Sequence, residues 1–121
     1  MLPVTVTTKE GAQLCPVRNV LSKVTGKWQM LILLTLEDGA MRFGVLKRTI
    51  GDVTQRVLTE NLRSMERDGY LTRTVDPGPP IAVSYALTPM GERLLVVIKG
   101  LVGFAAEHFD EVIAAREKYD A

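Results

Sequence analysis

Apolar residues recur with a helical period along most of the chain and with a period of two in one place. That contrast predicts the architecture. The stretch from Arg42 to Gly69, RFGVLKRTIGDVTQRVLTENLRSMERDG, carries two helical runs. In the first, Phe43, Leu46 and Ile50 fall at spacings of three and four, so they line one face while Lys47 and Arg48 point away. Gly51 stands where a helix that must stop takes a left-handed residue, and Asp52-Val53 completes a three-residue connection. A connection that short forces a sharp crossing.

The second run opens at Thr54, whose hydroxyl is placed to cap the next turn, and repeats apolar residues at Leu58, Leu62 and Met65. Its other face carries Gln55, Arg56, Thr59, Glu60, Arg63 and Arg67. An apolar seam with a charged outer face also describes any surface helix, so the segments after this run decide its meaning. Tyr70 to Val75 is rich in β-branched and aromatic residues and predicts a strand; Ile81 to Leu87 alternates large apolar residues at 81, 83, 85 and 87 and predicts a second. Asp76-Pro77-Gly78-Pro79-Pro80 between them is a turn-dense tip. A short helix, a tight turn, a second helix and a hairpin make a winged helix-turn-helix. In that motif the second helix lies in the major groove and its N-terminal residues meet base edges.

The remaining segments surround this unit. Residues 1 to about 13 are polar and β-branched without a period, which predicts a flexible or loosely docked arm, free to cross to a partner subunit. Cys15-Pro16 starts a helix through Val17, Val20, Leu21 and Val24, ended by Gly26. Lys27 to Glu37 is apolar nearly all the way round and belongs in the core, with Trp28 as a core aromatic or, alternatively, a ligand platform. Ala40-Met41 is an extended link able to add a third strand to the wing. Thr88-Pro89 opens a long helix to about Lys118, with Leu94, Leu95, Ile98, Leu101, Val102, Ala105, Phe109, Val112 and Ile113 on one face. One winged domain cannot cover that much apolar helix, so a homodimer is expected. Gly100 and Gly103 each weaken the helix by about 1 kcal/mol relative to Ala, which close helix approach or a bend would explain.

The fold class is therefore mainly α with a small β-wing (α+β): a winged helix-turn-helix with N- and C-terminal dimerisation helices. The expected organisation is an arm over 1–13, a DNA-binding core over 14–88 and a dimerisation helix over 89–121, all in one domain.

Composition narrows the function. At 121 residues, 46% apolar and 24% charged, the chain has room for a real core and none for a second, catalytic domain. The net charge of +1 by itself argues weakly against nucleic acid, but its distribution is uneven. Residues 1–75 hold eleven Lys or Arg against seven Asp or Glu, and residues 76–121 hold four against seven. The basic half contains the reading helix, and so modest a surplus implies few phosphate contacts per subunit. One histidine, His108, and one cysteine exclude a four-ligand zinc site within the chain, no phosphate-cradling glycine motif is present, and the acidic residues are scattered. No enzyme activity, metal or cofactor is expected. The N-terminus lacks the basic start and apolar core of a secretory signal, and Leu94 to Ala106 is too short for a bilayer, so no membrane association and a cytoplasmic location are expected.

Cys15 is the one candidate for chemistry. Helix-start N–H groups, with Arg18 and Lys23 near in sequence, favour its thiolate; the alternative is a small buried residue packing the first helix.

The order and spacing of several short stretches carry a family likeness: Cys15-Pro16, Gly26-Lys27-Trp28, Arg42-Phe43, Val57-Leu58-Thr59 with Leu62-Arg63, Asp68-Gly69-Tyr70-Leu71, and Tyr85-Ala86-Leu87-Thr88-Pro89-Met90-Gly91. Over roughly residues 14 to 105 the chain resembles the HxlR family of bacterial winged helix-turn-helix regulators. The resemblance implies a dimeric transcription factor bound to inverted-repeat operators near its own or a neighbouring gene. It also implies that Cys15 aligns with a cysteine through which some members sense electrophiles or oxidants. Two features depart from the family pattern: Gly44-Val45 in the first motif helix, where many members have a small polar residue and Glu, and the proline-dense wing tip.

The residues thus predict a homodimeric regulator of double-stranded DNA. Gln55, Arg56, Thr59, Glu60 and Arg63 are expected in the major groove; Arg42, Lys47, Arg48, Thr54 and Arg73 are expected against the backbone and wing contacts. A candidate effector is a small molecule bound between the long helix and the core, or an electrophile at Cys15. A rival reading is a winged helix used as a protein-interaction module, which Glu60 on the reading face and the near-neutral charge favour. Arg56→Ala should relax specificity at one base pair at a cost of about 1–3 kcal/mol, whereas Arg73→Ala should weaken all sequences alike. Titrations on operator and random duplexes check both, and equal losses for Arg56→Ala would remove it from the base-reading set.

Overall fold

The computed structural model describes residues 15–121, so the expected arm over residues 1–13 lies outside the described residues. Helix α1 is a wide, π-wound segment, Val17–Leu21, continuing as Ser22–Val24. It is followed by α2 (Lys27–Thr35), β1 (Met41–Arg42), α3 (Phe43–Ile50), α4 (Gln55–Arg67), β2 (Leu71–Asp76), β3 (Ala82–Leu87) and the long α5 (Pro89–Asp120). The helix-turn-helix is α3 and α4, and the hairpin β2–β3 is the wing.

Each boundary has a local cause. Gly51 closes α3 at φ 99°, and Gly69 follows α4 at φ 88°, backbone conformations that side chains with a Cβ rarely adopt. The Thr54 hydroxyl accepts from the Val57 N–H at 3.2 Å and caps α4. Val53, in the turn, is buried and pins the corner to the core.

The three strands form an antiparallel sheet in the order β1-β3-β2. The ladder runs from Leu71↔Leu87 to Asp76↔Ala82, with Met41↔Tyr85 and Arg42↔Ser84 on the other edge. The third strand expected at Ala40-Met41 thus sits one residue later. Ile81 also departs from expectation: it falls beyond the ladder and is exposed rather than part of the strand's inward face.

The core gathers Ile32, Leu33 and Leu36 from α2, Leu46 from α3, Leu58, Leu62 and Met65 from α4, Leu71 and Tyr85 from the wing, and Leu95 and Ile98 from α5. Full burial contributes about 1.5–3 kcal/mol per large apolar side chain, so the seam of α4 holds the reading helix firmly. Trp28 packs partly buried against this core, with the Lys27 ammonium 4.4 Å from its ring centroid. The expected helix through Val20 and Leu21 is present, but of its apolar residues only Val24 is buried. Lys47, expected to point away from the core, is half-buried, because it lies one turn from Phe43 on the flank of the packed face.

The end of α4, both ends of the wing and the start of α5 meet at one place. The Thr88 N–H donates to the Tyr70 carbonyl at 3.0 Å, and the Thr88 hydroxyl donates to the Gly69 carbonyl at 2.6 Å. The same hydroxyl accepts from the Gly91 N–H at 3.0 Å. Gly91 is buried so close to this corner that an added Cβ would stand 2.2 Å from the Tyr70 carbonyl oxygen. Burial, followed by the charge of Asp68, raises the Tyr70 phenol above its ordinary pKa.

Beyond Ile98, α5 leaves the body. Leu101, Val102, Phe104, Phe109 and Val112 are all exposed, and among the described residues nothing outside the helix's own backbone lies within 4 Å of where a Cβ on Gly100 or Gly103 would be. Gly91→Ala should therefore destabilise the chain by about 2 kcal/mol or more through overpacking. Gly100→Ala, in open space, should stabilise α5 by up to about 1 kcal/mol. Denaturant titration of the two variants checks the opposite signs.

Candidate nucleic-acid interface

Helix α4 and the wing face each other across an open groove of about 800 Å³. Gln55, Thr59, Arg63 and Glu66 line it from α4, at the spacings of four, four and three that put side chains on one helical face. Arg42, Phe43 and Gly44 form its inner end. Arg73, Tyr85, Val83 and Ile81 line it from the wing.

The sheet positions two of the three guanidinium groups. Arg42 is held on β1 opposite Ser84, and Arg73 on β2 opposite Tyr85, so the two stand on the strands flanking β3, Arg73 on the Tyr85 face of the sheet and Arg42 on the Ser84 face. Arg63 approaches from α4. Three planar, permanently charged groups of five donors each suit phosphate oxygens, and Glu66 is the one opposing charge in the lining.

The predicted site residues separate into sets. Gln55, Thr59, Arg63, Arg42 and Arg73 come together in the groove. Arg56 and Glu60 lie on the exposed outer face of α4, where Arg56 Nε and Glu60 Oε1 pair at 3.4 Å one turn apart. An exposed pair of this kind is worth a few tenths of a kcal/mol, enough to bias the Arg56 rotamer and too little to resist exchange for a base edge. Thr54 is exposed, and its hydroxyl is engaged as the cap of α4. Lys47 and Arg48 lie outside the groove. Cys15 is elsewhere, 3% exposed at the start of α1, where its carbonyl accepts from the Asn19 N–H at 2.8 Å.

Glu66 and Ile81 were not among the residues expected at the site. The signal for Glu66 was present in its spacing from Gln55, Thr59 and Arg63, but the side of α4 that the wing approaches had to be known to use it. Among the described residues no group of three or more His, Cys, Asp or Glu could hold a metal ion, and no helix is long and apolar enough to cross a membrane. His108 lies on α5, its ring centroid 4.6 Å from that of Phe104 and its Nδ1 3.0 Å from Glu111.

Residues 23–113 match the HxlR-like helix-turn-helix family. The chain is 40% identical over 113 residues to the uncharacterized HTH-type transcriptional regulator YtfH of Escherichia coli, covering 91% of this chain and 90% of that one. Among solved structures it is similar to the putative transcriptional regulator ytfH from Salmonella typhimurium, with a TM-score of 0.79, 39% identity and coverage of 87% and 94% of the two chains. It is also similar to the redox regulator HypR in its oxidized form, with a TM-score of 0.71, 33% identity and coverage of 77% and 96%.

Removing the single acid from the groove lining tests its electrostatic role. Glu66→Gln should tighten binding to operator and random duplexes alike by about 0.2–1 kcal/mol, and the gain should shrink as salt rises. Fluorescence anisotropy at two ionic strengths would show it; a change confined to one sequence would mean that Glu66 reads a base.

Proposed function

Because the chain belongs to the HxlR-like helix-turn-helix family of transcriptional regulators, we propose that it acts as a homodimer on an inverted-repeat operator, with α4 of each subunit in a major groove. The observation that carries this reading is the groove itself, which brings Arg42, Arg63 and Arg73 together with Gln55 and Thr59 between α4 and the wing. A phosphodiester strand between the two elements would be held by the guanidinium groups while Gln55, Arg56 and Glu60 meet base edges, Arg favouring guanine, Gln adenine and Glu the cytosine amine. Three arginines lining one groove favour a nucleic acid over the protein-interaction reading.

Dimerisation is supported by the apolar side chains of α5 that the body leaves uncovered, with Leu101 47% and Phe109 59% exposed, and by exposed Val20 and Leu21 on α1. Two α4 helices about a two-fold axis stand about 34 Å apart, or a multiple of that, on one face of the duplex. The place of action is the cytoplasm. A redox or electrophile response through Cys15 is a second component, supported by the likeness to a regulator named for redox sensing. Since Cys15 is 3% exposed, a reagent reaches it only when the residues that cover it move aside.

Selection of bound duplexes from a randomised pool, with reduced and with oxidised protein, should return an inverted repeat. Sequence-blind binding erased by salt under every condition would defeat the proposal. Phe109→Glu should shift sedimentation toward the monomer and weaken operator binding on the order of a hundredfold, since a lone half-site contact loses the linked second one. A Phe109→Glu protein that sediments and binds unchanged would remove α5 from the subunit interface.

A further inference from the structure

The wing tip is the part of this surface that phosphate contacts do not explain. No Lys or Arg occurs between Arg73 and Arg93, so the tip has no cation with which to hold the backbone. The charged side chain that is there, Asp76, is turned into the loop, where its Oδ1 accepts from the Gly78 N–H at 3.1 Å. What the tip presents instead is apolar. Ile81 is 73% exposed, more than any other large aliphatic side chain among the described residues, and Pro77, Pro79 and Pro80 beside it are exposed as well.

The position of Ile81 is as telling as its chemistry. Tyr85, Val83 and Ile81 line the groove together, buried at Tyr85, half-buried at Val83 and open at Ile81. An apolar strip therefore runs out along the groove wall from the guanidinium of Arg73 to the rim. On duplex DNA, one sugar-phosphate strand separates the major groove from the minor. With α4 in the major groove and that strand held between Arg63 and Arg73, the rim stands over the minor groove. Side chains that enter there without a cation act as wedges: Ile and Pro are among those that slip between base pairs, unstack them and kink the duplex by about 20–90°. Three ring-fixed φ angles in the tip limit how far it can fold away from that contact.

We propose that Ile81, backed by Pro80, is an apolar wedge that enters the minor groove beside each half-site and kinks the DNA there. The inference rests on the operator-binding reading above and adds a specificity determinant to it. Pyrimidine–purine steps are unstacked most readily, so the duplexes recovered by selection carry a TA or CA/TG step at the wing position although no side chain hydrogen-bonds to it.

The test uses the full chain and the selected duplex, labelled at both ends with a fluorescent donor and acceptor, to compare wild type, Ile81→Ala and Ile81→Arg. Expected are a bent duplex with wild type, and with Ile81→Ala less than half the bend and roughly tenfold weaker binding at an unchanged salt slope. Ile81→Arg should steepen the salt slope by about 0.9, the signature of one added phosphate contact. A straight duplex with wild type, an unaltered bend with Ile81→Ala, or an unaltered slope with Ile81→Arg overturns the wedge while leaving the operator reading in place. A selection that enriches no duplex overturns both. Ile81 is exposed and outside the β ladder, so its replacement does not threaten the fold.

Discussion

The carbonyl of Tyr70 is the point on which this molecule turns. It receives the Thr88 N–H, and Gly91 is pressed against it so closely that no side chain fits between. Through Thr88, whose hydroxyl joins the Gly69 carbonyl to the Gly91 amide, the end of α4, the return of the wing and the first turn of α5 share one hydrogen-bonded corner. A change of angle there would move three things together: the reading helix, the wing and the helix that leaves the body. Each bond is individually modest, about 1 kcal/mol, but the groups are backbone and short side chains with few alternative partners once buried.

That corner explains why the groove between α4 and the wing has a defined width. The apolar seam of α4 fixes its rotation, and the register Leu71↔Leu87 fixes where the wing begins. The short strand β1 does the same for the far side, since pairing Arg42 with Ser84 binds the entry of α3 to the middle of the wing. The backbones that carry Arg42, Arg63 and Arg73 thus belong to a helix and two strands that are tied to one another.

Much of this was legible from residue order. The helix-turn-helix followed from two apolar periods and a glycine stop, the wing from alternation at 83, 85 and 87, and the start of α5 from Thr88-Pro89. Local rules decide such features, so local sequence reveals them. What escaped depended on tertiary placement. Ile81 continues the alternation by eye, but the ladder ends at Asp76↔Ala82 because the proline-rich tip supplies few N–H donors to extend it. Glu66 joined the groove only because the wing approaches that flank of α4, which no periodicity encodes. Lys47 was expected outside, yet it is half-buried beside the packed face of α3. The wide winding of Val17–Leu21 has no evident cause in its residues.

The unsupported length of α5 has a consequence for how such a protein is counted by the cell. From Lys99 to Asp120 the helix has little to lean on among the described residues beyond the ion pair of Lys99 with Glu37. A solitary helical stretch of that size is only marginally stable in water, and its apolar side chains lie open to solvent. In the proposed dimer, ordering of this rod and pairing of two subunits would be the same event, and the population able to span two half-sites would grow with the square of abundance while abundance is low. Expression level itself would then be a signal: a small surplus of chains would pass a threshold that a small deficit does not reach, with no ligand taking part.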